Sequence, residues 1–131
     1  MSIDLSGRSV LIVEDEPLIA IEIAEALTSA HATVVVAATL QDGMRLAEHS
    51  TLSAAVVDLI LGRDDAGALF KRLTARGVPC IIYTGYVDIP AGCTPSAIVR
   101  KPARTEALLR ALAQVLARDT AVVAERSQSQ R

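Results

Sequence analysis

The feature that most constrains this chain is a repeated pattern in which a short apolar run ends on a polar or charged residue. Four such runs end, in chain order, on Glu14-Asp15, Asp58, Thr84 and Lys101. Short runs rich in Val and Ile predict strands that are buried in a parallel sheet. Because the carboxyl ends of parallel strands lie along one edge of the sheet, these polar residues are predicted to line a single cleft.

The stretches between the apolar runs have helical features. The predicted strands lie near residues 9 to 14, 33 to 37, 54 to 58, 78 to 83 and 97 to 100. Helices are predicted from Pro17, from a Thr39 cap to about residue 49, over about 65 to 76 and over 105 to 118. This alternation predicts a doubly wound α/β fold with right-handed crossovers.

One crossover departs from the pattern. The segment between Thr84 and Lys101 contains Pro90, Gly92 and Pro95, which break helices. The fourth crossover helix is therefore predicted to be short, irregular or absent.

Composition favours one small cytoplasmic domain. The chain has 131 residues, of which 51% are hydrophobic, and this predicts a domain over 1–118 followed by a polar tail over 119–131 whose end is disordered. A formal charge of −2 with scattered Lys and Arg argues against nucleic-acid binding. The absence of a long apolar stretch argues against secretion and membrane insertion.

The predicted cleft implies a phosphoryl chemistry. Three carboxylates that lie close together repel one another, and a hard cation such as Mg²⁺ makes the arrangement tolerable. An anion brought beside Asp58, with Thr84 and Lys101 as donors, is most naturally a phosphoryl group, because its spread negative charge needs metal, hydroxyl and ammonium together. Asp58 is then the predicted nucleophile.

Taken together, these residues resemble the receiver domain of two-component response regulators. The resemblance covers residues 8 to about 118 and rests on the acidic pair, Asp58, Thr84 and the Lys101-Pro102 dipeptide. It implies a flavodoxin-like fold with a five-stranded parallel sheet in the order 2-1-3-4-5. It also implies that Asp58 is the phosphoacceptor and that Thr84 and Lys101 bind phosphoryl oxygens.

The resemblance also implies a set of metal ligands. Mg²⁺ would be held by Asp15, Asp58 and the backbone carbonyl of Ile60, and Glu14 would act through water or hydrogen bonds. The implied donor of the phosphoryl group is a histidine kinase or a phosphotransfer protein.

The predicted switch differs from that of most receivers. Thr84 to Tyr86 further resembles the FATGUY group of single-domain receivers, and Tyr86 is a candidate switch residue. Ile98 stands three residues before Lys101, where most receivers carry Tyr or Phe as a rotamer switch coupled to the Thr. Ordering of residues 85 to 97 is therefore predicted to take the place of the aromatic switch.

The sequence thus predicts a stand-alone receiver that catalyses only its own phosphorylation and dephosphorylation and signals to an unknown protein. The alternative is a pseudo-receiver, a binding module that keeps the fold but does not use phosphate. A third reading, an aspartate-nucleophile phosphatase, is weak because Asp58 is followed by Leu59, Ile60 and Leu61, with no second acid two residues on.

Overall fold

The computed structural model describes residues 3–49, 51–58, 60–61, 64–85, 95, 97–101 and 104–129. In chain order its elements are β1 (Ser9–Val13), α1 (Pro17–Ser29), β2 (Thr33–Ala37), α2 (Leu40–Leu46), β3 (Ala54–Val57), β4 (Ile60–Leu61), β5 (Asp64–Asp65), α3 (Gly67–Ala75), β6 (Cys80–Thr84), β7 (Ala97–Arg100) and α4 (Thr105–Ser129).

Five of the strands form one parallel sheet. Its order is β2-β1-β3-β6-β7, and every neighbouring pair runs parallel. The strands β1, β3 and β6 lie inside the sheet, and their apolar residues are buried on both faces. This is the flavodoxin-like order 2-1-3-4-5, so the predicted fold class is confirmed.

Helices cover both faces of the sheet. One apolar layer packs α1 and α4 against the residues of β1, β3 and β6 that include Ile12, Val56 and Ile81. The other layer packs α2 and α3 against the alternate positions, which include Val13, Val57 and Ile82. Because side chains alternate along a strand, these two sets lie on opposite faces.

The helix α2 begins with the predicted Thr39 cap and lies close to the sheet. The side chain of Thr39 accepts a hydrogen bond from the backbone N–H of Asp42, at 3.1 Å, and so caps the first turn. Gly43 is buried, and a Cβ added there would lie 3.1 Å from side-chain atoms of both Val13 and Leu69. The missing side chain at Gly43 therefore sets how closely α2 approaches the sheet.

Some element boundaries differ from the predictions. The helix α2 ends at Leu46, before the predicted residue 49. Residues 64 and 65, which were expected at or near the start of a helix, pair instead with 61 and 60 as the antiparallel hairpin β4–β5, so α3 begins at Gly67. The backbone is helical past residue 118, as far as Ser129, where a polar tail was expected.

Two further predictions concern the fourth crossover helix and membrane insertion. The fourth crossover helix was predicted to be short, irregular or absent. Most of that segment, residues 86 to 94, lies outside the described residues. Among the helices that are described, none is both long enough and apolar enough to cross a membrane.

Candidate functional site

The strand register places three charged side chains on one face at the carboxyl edge of the sheet. Ile12, Val56 and Val99 all belong to the apolar layer beneath α1 and α4. Two positions further along each strand, on the same face, come three charged residues, Glu14, Asp58 and Lys101. The alternation that builds the core therefore also delivers these groups to one cleft.

Backbone hydrogen bonds continue the sheet into this cleft. The N–H of Asp58 donates to the carbonyl of Val13, at 3.0 Å, and the N–H of Lys101 donates to the carbonyl of Thr84, at 2.9 Å. Asp58 and Lys101 are therefore held at their backbones by the same ladder that orders the strands.

The ammonium of Lys101 joins two carboxylates. Its Nζ lies 2.9 Å from Oδ2 of Asp58 and 3.0 Å from Oε2 of Glu14. Glu14 is only 2% exposed, and the side chain of Lys101 is 18% exposed. Charge-assisted hydrogen bonds with so little access to water are strong and fix the position of the lysine.

Burial and pairing shift the pKa values of this group. Burial raises the pKa of Glu14, the nearby charge of Asp58 raises it further, and the hydrogen bond from Lys101 only partly opposes this. Burial alone would lower the pKa of Lys101, but its hydrogen bonds to Asp58 and Glu14 outweigh burial and raise that pKa above its usual value. Lys101 is therefore a permanent cation at neutral pH.

Glu14 also connects the cleft to the start of α1. Its Oε1 accepts a hydrogen bond from the backbone N–H of Glu16, at 3.2 Å. Glu16 is the residue before the first turn of α1, and Pro17 follows it. The carboxylate of Glu14 thus uses one oxygen to hold the β1–α1 turn and the other to hold Lys101.

The three acids of the cleft form a group that fits a hard cation. One carboxylate oxygen from each of Glu14, Asp15 and Asp58 lies within 4.8 Å of the others. Asp15 is half-buried, whereas Glu14 and Asp58 are buried. Lys101 offsets only one of the three negative charges, and carboxylate oxygens are the ligands that Mg²⁺ and Ca²⁺ prefer.

The other predicted site residues differ in burial, and two of them lie outside the described residues. Thr84 is fully buried at the end of β6, and Ile60 lies in β4, two residues after Asp58. Ile98 is 41% exposed on β7, an outer strand of the sheet. Tyr86 and Pro102 lie outside the described residues.

One residue at the cleft was not predicted from the sequence. The centre of the Tyr83 ring lies 5.3 Å from Nζ of Lys101. Tyr83 is paired in register with Val99, two residues before Lys101. The sequence carries no signal for this contact, because alternation along β6 and along β7 does not fix the register between the two strands.

The comparisons with known proteins agree with this fold and cleft. The family model described as the response regulator receiver domain matches residues 10–113. This match covers most of the chain, and the chain therefore belongs to the response regulator receiver domain family of two-component signalling.

Solved structures of receiver domains share the fold at low sequence identity. A CheY-like receiver domain protein from Methanospirillum hungatei is 24% identical with a TM-score of 0.80, and the alignment covers 88% of this chain and 98% of that one. The receiver domain of a LuxO repressor protein from Vibrio parahaemolyticus is 21% identical with a TM-score of 0.78, covering 89% and 95%. No similar protein was found among curated sequences.

A third solved structure with this fold contains a metal ion. The receiver domain of a sensor histidine kinase from Pseudomonas aeruginosa has a magnesium ion coordinated in its active site cleft. It is 24% identical to this chain with a TM-score of 0.74, and the alignment covers 86% of this chain and 99% of that one. The resemblance to the FATGUY group is not confirmed by these comparisons.

Proposed function

We propose that the chain is a response regulator receiver domain that accepts a phosphoryl group on Asp58 and signals to a protein partner. The observation that best supports this is the ammonium of Lys101 held between Asp58 and Glu14, beside a third carboxylate. A transferring phosphoryl group carries spread negative charge and needs this kind of prepositioned cation.

In the proposed reaction, a carboxylate oxygen of Asp58 forms a bond to phosphorus as the bond from phosphorus to the histidine nitrogen breaks. The electron pair of the broken bond stays on the leaving imidazole. Lys101, whose Nζ is already 2.9 Å from Asp58, would pair with a phosphoryl oxygen. Thr84 would donate a hydrogen bond from its hydroxyl to another phosphoryl oxygen.

The three acids of the cleft suit Mg²⁺. Asp15 and Asp58, with the backbone carbonyl of Ile60, would hold the ion, and Glu14 would act through water or through its hydrogen bonds to Lys101 and Glu16. When bound, the ion offsets the charge of the phosphoryl oxygens.

The proposed partners follow from this reaction. A histidine kinase or a phosphotransfer protein in the cytoplasm supplies the phosphoryl group, and an unidentified protein receives the signal. We propose no nucleic-acid target and no separate metabolite as substrate, so the chain catalyses only its own modification.

The proposed output involves the segment after Thr84. Ile98 occupies the position of the usual aromatic switch, and an aliphatic side chain on an outer strand cannot donate a hydrogen bond to Thr84. We therefore keep the prediction that phosphorylation orders residues 85 to 97, with Tyr86 either buried or presented to the partner. Amide exchange with and without a phosphoryl mimic would show whether protection rises there.

Phosphorylation itself can be tested by intact mass. The protein is incubated with Mg²⁺ and a small phosphodonor, and three proteins are compared: wild type, Asp58→Asn, and Asp42→Asn as a control. Asp42 lies exposed in the first turn of α2 and does not belong to the group of three acids. We expect a single phosphoryl adduct on the wild type and on the control, and none on Asp58→Asn.

Two outcomes would argue against the proposal. An adduct that persists on Asp58→Asn would mean that another residue is the acceptor. A folded wild type that gains no adduct from either a small donor or a phosphohistidine protein would favour the pseudo-receiver.

A further inference from the structure

Tyr83 forms one wall of the space that holds Lys101. Its ring centre lies 5.3 Å from Nζ of Lys101, within the range of a cation–π contact. Tyr83 is buried in the apolar layer beneath α1 and α4. The ring therefore meets the ammonium on a side with little access to water, where such contacts are strongest.

The sheet fixes this arrangement. Tyr83 pairs with Val99 across the β6–β7 ladder, and Lys101 follows two residues after Val99 on the same face. The N–H of Lys101 is bonded to the carbonyl of Thr84, which directly follows Tyr83. Tyr83 and Lys101 are therefore neighbours through the backbone as well as through their side chains.

A lysine needs such support because its four-carbon stem is flexible. An ammonium that must stay near Asp58 and then pair with a phosphoryl oxygen loses rotamer freedom in both states. A buried ring close to Nζ favours the rotamers that keep the ammonium in place before the reaction begins, because its π face attracts the positive charge.

We propose that Tyr83 is a positioning residue of the phosphoryl-transfer site, which holds Lys101 in place at Asp58. The inference rests on the proposed phosphorylation of Asp58. Tyr83, directly before Thr84, is then an aromatic residue that acts through Lys101. The usual aromatic switch position holds an isoleucine, Ile98, in this chain.

A double-mutant cycle separates this role from core packing. The rate of phosphorylation by a small phosphodonor in saturating Mg²⁺ is measured for Tyr83→Phe, which keeps the ring, and Tyr83→Leu, which keeps only apolar volume. Both are repeated in a Lys101→Met background. Phe70→Leu is the matched control, because Phe70 is a buried aromatic residue of α3 in the opposite apolar layer.

The expected pattern is specific to Lys101. Tyr83→Leu should slow phosphorylation about five- to tenfold, and Tyr83→Phe should stay within about twofold of the wild type. In the Lys101→Met background Tyr83→Leu should cause no further loss, because the group through which it acts is gone. Phe70→Leu should lower the unfolding temperature without slowing the reaction.

A second measurement does not depend on how the variants fold. The chain contains two lysines, Lys71 and Lys101, so a lysine-labelled sample gives one side-chain signal for each. Lys71 is exposed on α3 and serves as the internal reference. Ring current from Tyr83 should move the ε protons of Lys101 upfield of those of Lys71.

The inference is overturned if the two lysine signals coincide, if Tyr83→Leu reacts at the wild-type rate, or if its loss persists undiminished in the Lys101→Met background. An equal loss in Phe70→Leu would assign the effect to general loosening of the core. Failure of the proposed function is distinguishable, since the wild type itself would then gain no phosphoryl group.

Discussion

Two clusters of charged side chains among the described residues differ in burial and in the balance of acids and bases. The cleft cluster (Glu14, Asp15, Asp58 and Lys101) is mostly buried and contains three carboxylates and one ammonium, which bonds Glu14 and Asp58. The helix cluster (Glu48, Arg72 and Arg76) lies at the surface between the end of α2 and α3, and its bases outnumber its acid. Of these two clusters, only the cleft cluster combines unequal numbers of acids and bases with burial from water.

The charged groups of the helix cluster bond one another and nearby backbone carbonyls. Arg72 donates from Nε and Nη2 to the two oxygens of Glu48, at 2.6 and 2.8 Å. Arg76 donates to the carbonyls of Ala47 and His49, just past the end of α2. The cluster thereby caps one helix and ties it to the next, and this role needs no ligand.

The cleft cluster cannot be explained in the same way. Its excess of buried negative charge costs free energy, and surface solvation does not relieve it. The difference shows that charge geometry alone does not mark a functional site. A surplus of carboxylates at a buried sheet edge marks a candidate functional site, because buried groups with strong mutual electrostatic effects are concentrated at such sites.

The largest predicted effect is at Lys101. Lys101→Met leaves Glu14 and Asp58 buried beside each other without their shared cation. We expect a loss of about 3 kcal/mol in the free energy of unfolding in Mg²⁺-free buffer, measured by urea denaturation. Mg²⁺ should restore part of this loss because it supplies positive charge to the same carboxylates.

Lys71→Met is the control for that comparison, since Lys71 is exposed on α3. It should change stability little, with or without Mg²⁺. Equal effects from the two lysine variants would remove the contrast between the clusters.

Arg76 should show the next largest effect. Its side chain is 23% exposed and bonds two carbonyls, so Arg76→Met should lower the free energy of unfolding by about 1.5 kcal/mol. Phosphorylation of Asp58 should be unchanged. Arg45→Met, at an exposed arginine of α2, is the control, and a loss of phosphorylation in the Arg76 variant would show that the helix cluster is coupled to the cleft.

Glu14→Gln should act in the opposite direction. The raised pKa of Glu14, which burial causes first and Asp58 second, means that folding disfavours its charge. Neutralising it should raise the free energy of unfolding by about 1 kcal/mol in Mg²⁺-free buffer. The gain should shrink as Mg²⁺ is added, and a destabilised variant would contradict the view that negative charge is in excess.

The smallest predicted effect is the pH dependence of the helix cluster. Hydrogen bonds from Arg72 lower the pKa of Glu48 below its usual 4.5. A carboxylate with a lowered pKa in the folded state stabilises the fold above its unfolded-state pKa, and this stabilisation is lost as pH falls through the folded value. The stability difference between wild type and Glu48→Gln should therefore narrow below pH 4.5. Exposure keeps the effect small, and a difference that is constant with pH would rule out a titrating pair.

Much of the fold was predictable because local patterns decide it. The apolar runs predict all five strands of the main sheet, and the polar residues at their ends predict the cleft. The hairpin β4–β5 was missed because two-residue strands carry no period. The helix past residue 118 was missed because polarity suggested a tail, although no Gly or Pro interrupts residues 117 to 129.

The sequence predicts which residues form the site better than it predicts the contacts between them. The order of residues predicts that the acids and Lys101 meet, but no spacing shows that Lys101 bonds both Asp58 and Glu14 at once. The contact of Tyr83 with Lys101 depends on the register between β6 and β7, which only the folded sheet defines.

The most direct test of the account is thermal unfolding as Mg²⁺ is added, with wild type compared to Asp15→Asn. Asp15 is the half-buried acid of the cleft cluster, whereas Glu14 and Asp58 are buried. Mg²⁺ should raise the unfolding temperature of the wild type with a saturating dependence, because an ion that binds only the folded state stabilises it. The variant should need far more Mg²⁺ for the same rise. A wild type whose unfolding temperature does not respond to Mg²⁺, or a variant that responds equally, would contradict the claim that the buried carboxylates form a cation site.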